Sequence, residues 1–136
     1  MIDRVDKETR SRIMSSVHSE NTAPEKAVRS LLHRMGYRFR LHRRDLPGTP
    51  DIVFPGRRAA IFVHGCFWHG HGCNIGKLPK SRVEYWHAKI VVNQERDRRK
   101  QAALGACGWR FTVVWQCELK DSIVLEAKLR TFLEES

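Results

Sequence analysis

This chain predicts an α/β fold, a mixed β-sheet flanked by helices, and three observations carry that reading. Segments with a helical apolar period alternate with short apolar runs in the order ααβββαβα. The apolar runs are bounded by Pro, Gly and charged turns, as strands are. A length of 136 residues, 41% of them hydrophobic, suits one domain, 1–136, around one core.

The elements follow in order. A short helix is expected over Lys7–Ser16. A second begins near Thr22, where Thr22 and Glu25 have capping-box spacing and Pro24 falls in the tolerant first turn. Ala27, Val28, Leu31, Leu32 and Met35 form its apolar stripe, and Gly36 ends it. Tyr37, Phe39 and Leu41 then alternate with Arg38, Arg40 and His42, a half-buried strand with a basic face. Asp51–Phe54, the Pro55-Gly56 turn and Ala59–His64 read as a hairpin of apolar strands. Ser81 and Glu84 repeat the capping-box spacing and open a long helix that runs to about Ala106. Arg110–Gln116 is an apolar strand. Ile123–Glu134 is a final helix with Leu125, Leu129, Phe132 and Leu133 inward.

Lys and Arg number 25 against 15 Asp and Glu, a formal net charge of +10. On a small domain that excess favours a polyanionic partner, nucleic acid above all; a charge kept for solubility is the plainer alternative. The opening residues are charged and lack an apolar signal core. The apolar runs Ala59–Val63 and Val113–Trp115 are far too short to span a bilayer. A cytoplasmic protein without membrane contact is therefore expected. In that reducing compartment the four cysteines suggest metal ligands before disulfides.

The segment from Gly65 to Cys73 packs Cys66, His69, His71 and Cys73 among glycines, which let the backbone fold tightly around one ion. A closed zinc site uses four such ligands. Cys66, His71 and Cys73 are the best local three, with His69 as the spare. Cys117, just past a strand, can project from the sheet edge as the fourth. Cys107 follows a helix end and is expected to pack as a small hydrophobe.

Asp51 opens the hairpin and can coordinate a hard cation such as magnesium, or simply hold a turn after Gly-Thr-Pro. Histidine as a residue type titrates near neutral pH, so His64 or His69 can accept a proton from an attacking water, though a lone histidine here can equally be structural. On the long helix the inward stripe runs Val83, Trp86, Ile90, Asn93, Asp97, Gln101, Leu104, so a carboxylate stands where the pattern asks for an apolar group. A buried Asp97 needs a partner, and a histidine of the site is a reasonable one; otherwise the helix has simply left the core. Glu25 is accounted for by its capping position. Arg38, Arg40, Arg43 and Arg44, and Arg96, Arg98, Arg99 and Lys100, form two basic clusters able to neutralise phosphates. Phe67 and Trp68 place two large rings in a loop near the surface, to plug the metal site or to wedge between base pairs.

With these residues in view, the chain resembles the very short patch repair (Vsr) endonucleases. Asp6-Lys7 with Thr9-Arg10-Ser11, Leu46-Pro47-Gly48 with Pro50-Asp51, His64 to His69, His71 and Cys73 carry the likeness. So do Asn93 with Glu95 to Arg99, Gly108-Trp109-Arg110, Val114-Trp115 and Cys117. It spans roughly Asp6 to Leu133. The resemblance implies a restriction-endonuclease-like core with a structural zinc site held by Cys66, His71, Cys73 and Cys117. It implies a DNA repair enzyme that nicks one strand 5′ of the T in T:G mismatches left by deaminated 5-methylcytosine. Asp51 and the backbone of Val63 would take magnesium, with Glu25 holding water beside it. His69 would be the general base, supported by His64 and Asp97. Phe67 and Trp68, with Met14 from an N-terminal arm over residues 1–20, would wedge into the duplex. Double-stranded DNA is the implied partner, with mismatch-repair proteins alongside, for a bacterial monomer at the nucleoid. Restriction-type sites carry Glu-x-Lys on the second hairpin strand, whereas this strand reads Ile61-Phe62-Val63-His64. Val63 also stands where the family has Thr; a backbone carbonyl serves the metal from either residue. Two other functions compete: a non-catalytic DNA-binding module ordered by zinc, and a nuclease whose His-rich loop itself holds the catalytic ion.

Overall fold

The computed structural model describes residues 22–71, 73 and 82–135, so the expected helix over Lys7–Ser16 and the arm that carries Met14 lie outside it. Helix α1 (Ala23–Arg34) starts at Thr22, whose hydroxyl accepts a hydrogen bond from the Glu25 amide at 3.3 Å. Gly36, at φ +91°, follows the helix end, where a left-handed backbone costs glycine nothing. Val28, Leu31 and Leu32 are buried as the stripe predicts. Ala27 is exposed, and Glu25 is buried in its stead.

The sheet holds β1 (Arg40–Leu41), β2 (Ile52–Phe54), β3 (Ala59–His64) and β4 (Arg110–Trp115) in that spatial order. The first three are antiparallel; β4 runs parallel to β3, from Ala59 opposite Arg110 to His64 opposite Trp115. A parallel neighbour needs a crossover, and α2 (Val83–Ala106) lies within it. Helix α3 (Ser122–Glu134) closes the chain, capped by Asp121. Side chains alternate across the pleat. Ile52, Phe54, Ala59, Ile61 and Val114 meet α1 and α3 on one face, while Val53, Ala60 and Phe62 meet Leu104 of α2 on the other. Covered on both faces, β2 and β3 read as unbroken apolar runs.

The structure corrects several expectations. Only Arg40 and Leu41 pair as a strand, although Tyr37 and Phe39 do turn toward the core while Arg38 turns out. Leu41 is exposed beside exposed Arg40, so the alternation fails within β1, and His42 follows with a left-handed backbone (φ 48°). Arg82 rather than Ser81 fills the N-cap position of α2, with no side-chain cap, and Val83 is exposed. Cys107 is exposed, not packed.

Helix α2 also grips the loop that follows β3. Asn93 donates to the Trp68 carbonyl at 2.8 Å, and Gln94 donates to the Gly70 carbonyl at 3.3 Å. Gly70 sits at φ +67°, and a Cβ there would stand 2.2 Å from Gln94 Nε2 and 2.6 Å from Ile90 Cγ2. Gly105, exposed in the same helix, has nothing within 4 Å of a built Cβ. The two glycines should therefore respond oppositely to alanine. Gly70→Ala should cost about 2 kcal/mol or more, and Gly105→Ala should add about 0.5–1 kcal/mol. Urea unfolding midpoints of the two variants read both signs.

Candidate active site

The C-terminal end of β3, the start of β2 and the first turn of α1 converge on one cleft of about 430 Å³. On its α1 side stand Glu25, His42 and Asp51, whose ligand atoms all lie within 4.8 Å of one another. Glu25 is 2% exposed, beside a helix N-terminus that favours a carboxylate. Arg29, one turn on, bonds it within the helix. His42 Nε2 lies 2.9 and 3.0 Å from its two oxygens. Asp51 reaches across the hairpin, and its Oδ2 accepts the Val63 amide at 2.7 Å. Two carboxylates this close favour a cation near them, and their hard oxygens suit magnesium.

The α2 side holds a second group. His69 Nδ1 is 2.5 Å from Asp97 Oδ2. A carboxylate only accepts, so Nδ1 carries the hydrogen and Nε2 keeps its lone pair. His64, at the end of β3, stacks on His69 with centroids 3.8 Å apart and planes 5° apart. Burial first, and then the neighbouring His69, push the His64 pKa down to about 3, so its ring is neutral. His64 Nδ1 is 4.0 Å from Asp97 Oδ2 and has no hydrogen-bond partner among the described residues. Arg96 and Lys100 flank Asp97 at the cleft wall.

Cys66 and Cys117, chain neighbours of the cleft-lining Gly65 and Gln116, bring their ligand atoms within 4.8 Å of one another and of those of His71 and Cys73. Cys117 Sγ is 3.5 Å from His71 Nδ1. Zinc with thiolate and imidazole bonds of about 2.3 and 2.1 Å in a tetrahedron sets such edges at about 3.6 Å. Burial, together with the adjacent thiols, pushes the Cys66 thiol up to about 12, so the clustered sulfurs need a cation before they can all ionise. The donor set therefore fits a zinc-type ion, and exposed Cys107 is no part of it.

Phe67 and Trp68 are half-buried, and Trp68 lines the cleft. Both pack edge-on against Trp86 of α2, with centroids 5.4 and 5.7 Å away. The structure thus gathers Asp51, Glu25, His64, His69 and Asp97 into one cleft, with Val63 and Trp68 on its lining, and the four metal-type ligands into a cluster of their own. Met14 lies outside the described residues. Sequence reasoning missed His42, counted on the solvent face of a strand, and Trp86, counted only as core. The available signal for His42 was its place as the last residue of the alternation.

The family model described as DNA mismatch endonuclease Vsr matches residues 2–75. The chain is 67% identical over 136 residues to the type II nicking enzyme V.XorIIP of Xanthomonas oryzae pv. oryzae, with all of both chains covered. It is 47% identical over 120 residues to the DNA mismatch endonuclease Vsr of Escherichia coli, covering 88% of this chain and 77% of that protein. It is 40% identical over 126 residues to the type II nicking enzyme V.NmeAIP of Neisseria meningitidis, covering 93% and 90%. Among solved structures, the catalytic domain of the homing endonuclease I-Bth0305I superposes with a TM-score of 0.58 at 22% identity, covering 82% of this chain and 94% of that one, a likeness of fold.

The ligand geometry separates two cysteines. Cys117→Ser should lower bound zinc well below one ion per chain and reduce the urea midpoint, while Cys107→Ser should change neither. Metal content by chromophoric chelator titration, alongside urea unfolding, checks both.

Proposed function

This chain belongs to the Vsr family of DNA mismatch endonucleases, and we propose that it nicks one strand of duplex DNA on the 5′ side of the T in a T:G mismatch. It is a nuclease, like the nicking enzymes it resembles. The observation that carries the finer reading is one cleft with an oxygen-donor pair, Glu25 and Asp51, on one wall and the His69–Asp97 pair on the other.

Asp51 and the Val63 carbonyl would hold magnesium, with Glu25 holding water beside it. Bound there, magnesium offsets the negative charge that develops on the scissile phosphate. His69, with Nδ1 committed to Asp97, takes a proton from the attacking water at Nε2. Asp97 holds the tautomer and favours the imidazolium that results. His64, neutral and stacked, keeps the His69 ring in plane. Cys66, His71, Cys73 and Cys117 would hold structural zinc, which would close the loop that carries Trp68 and His69. Phe67 and Trp68, with Met14 from the arm over residues 1–20, wedge beside the mismatch, where a mispaired step costs less to unstack than a paired one. Arg96 and Lys100 hold backbone phosphates.

One endonuclease domain over 1–136 suffices, since a nick needs one active centre; we take it to act as a monomer in the bacterial cytoplasm, at the nucleoid when DNA-bound, alongside mismatch-repair proteins. No helix among the described residues is long and apolar enough to cross a membrane.

The test uses end-labelled duplexes that differ only in T:G against C:G, across several sequence contexts, with magnesium. A single cut beside the T in the mismatched duplex alone is expected; binding without any cut, in every context and metal, would leave a DNA-binding module. Asp51→Ala and His69→Ala should each slow nicking by about 10²–10⁴ with little change in duplex binding. Arg96→Ala with Lys100→Ala should instead weaken binding and flatten its log–log salt slope by about 0.9 for each phosphate no longer neutralised.

A further inference from the structure

We propose that His42 is the positioning residue that sets the Glu25 carboxylate against Asp51. The proposal rests on the reading that Glu25 serves the nicking reaction.

His42 touches both acidic residues by different atoms. Its ring nitrogen Nε2 meets both oxygens of Glu25, at 2.9 and 3.0 Å. Its backbone amide donates to the Asp51 carbonyl at 3.2 Å. One residue thus bridges Glu25 and Asp51. Near-equal distances place Nε2 close to the bisector of the carboxylate, so one N–H shared between two oxygens fixes the rotation of the group as well as its position. That nitrogen must carry hydrogen, because an ionised carboxylate only accepts. Arg29 touches the same carboxylate from within α1, one turn along the helix, and its Nη2 lies 3.4 Å from His42 Nε2. His42, just past β1, ties Glu25 to the sheet.

Two further features argue that this bridge is maintained against a cost. The His42 backbone lies at φ 48°, a conformation that disfavours any residue with a Cβ and persists only where the surroundings enforce it. The side chain is 12% exposed, so the ring is withdrawn from water to reach a carboxylate that is itself 2% exposed. A basic strand face, which is what sequence alternation makes of His42, has no use for either.

The experiment is a double-substitution cycle in the full chain. His42→Asn keeps a residue that tolerates left-handed backbone while its shorter side chain withdraws the donor. His42→Gln retains an amide N–H at greater reach. Each is combined with Glu25→Gln, and nicking of a T:G duplex is followed for kcat and KM. Urea midpoints of the metal-free proteins are taken alongside. The expected result is a 10–100-fold loss of kcat for His42→Asn, with KM within about twofold. His42→Gln should recover most of it, and His42→Asn should add no further loss in the Glu25→Gln background. The metal-free midpoint should fall on His42→Asn in the parent and stay put beside Glu25→Gln. Losses that multiply, a Gln variant as slow as the Asn one, or a midpoint that falls equally in both backgrounds would assign His42 a general packing role and overturn the proposal. Glu25→Gln nicking at full rate would instead overturn the reading of Glu25, and the positioning role with it.

Discussion

One face of helix α2 governs the arrangement of nearly everything around it. Trp86 backs the two aromatic rings of the loop, Ile90 and Gln94 leave room for a glycine and nothing larger, Asn93 holds the Trp68 carbonyl, and Asp97 orients His69. These residues recur at helical spacing, so a single rigid rod sets the height of the aromatic pair, the loop backbone and the imidazole together. The rod in turn is anchored to the sheet by Leu104 against Phe62 and Val53. Precision at the cleft is therefore borrowed from an ordinary helix-on-sheet interface, where buried apolar side chains each contribute about 1.5–3 kcal/mol.

The electrostatic organisation follows from that packing. Acidic groups are brought into the interior only with partners: Glu25 with Arg29 and His42, Asp51 with the Val63 amide, Asp97 with His69. His64 is left neutral by its burial. Among the described residues, Arg38, Arg40, Arg44, Arg96, Arg98, Arg99 and Lys100 are exposed, where they meet solvent and any polyanion first. Not all of the basic clusters is available: Arg43 is engaged by Asp45 at 2.6 and 2.9 Å and lies over the Trp109 ring, and Arg98 leans on Glu95.

Much of this was legible from the chain itself, and the reasons differ by element. Asp97 was legible as a candidate because it stands in register with Ile90 and Leu104 on the helical stripe, although the same position also suited a helix that had left the core. The doubly covered strands were visible as unbroken apolar runs. The density of Cys and His, with one more Cys past β4, pointed to a cluster that the fold does assemble. His42 was hard to read because alternation encodes burial only while the backbone stays extended, and its left-handed backbone lies outside that regime. The same limit explains the length of β1: Tyr37 and Phe39 alternate correctly for burial, yet pairing begins only at Arg40. Periodicity reports which way side chains turn, and says little about which backbone groups find partners.

The margins of the sheet carry a further consequence. Strand β1 offers two residues to any newcomer, set among arginines. On β4, the Lys128 ammonium takes the Val113 carbonyl at 2.7 Å while also holding Glu118. Exposed strand margins are where β-proteins template one another into aggregates, and short length, charge and lysine are what discourage it. Both margins thus carry the features that discourage self-assembly through the sheet.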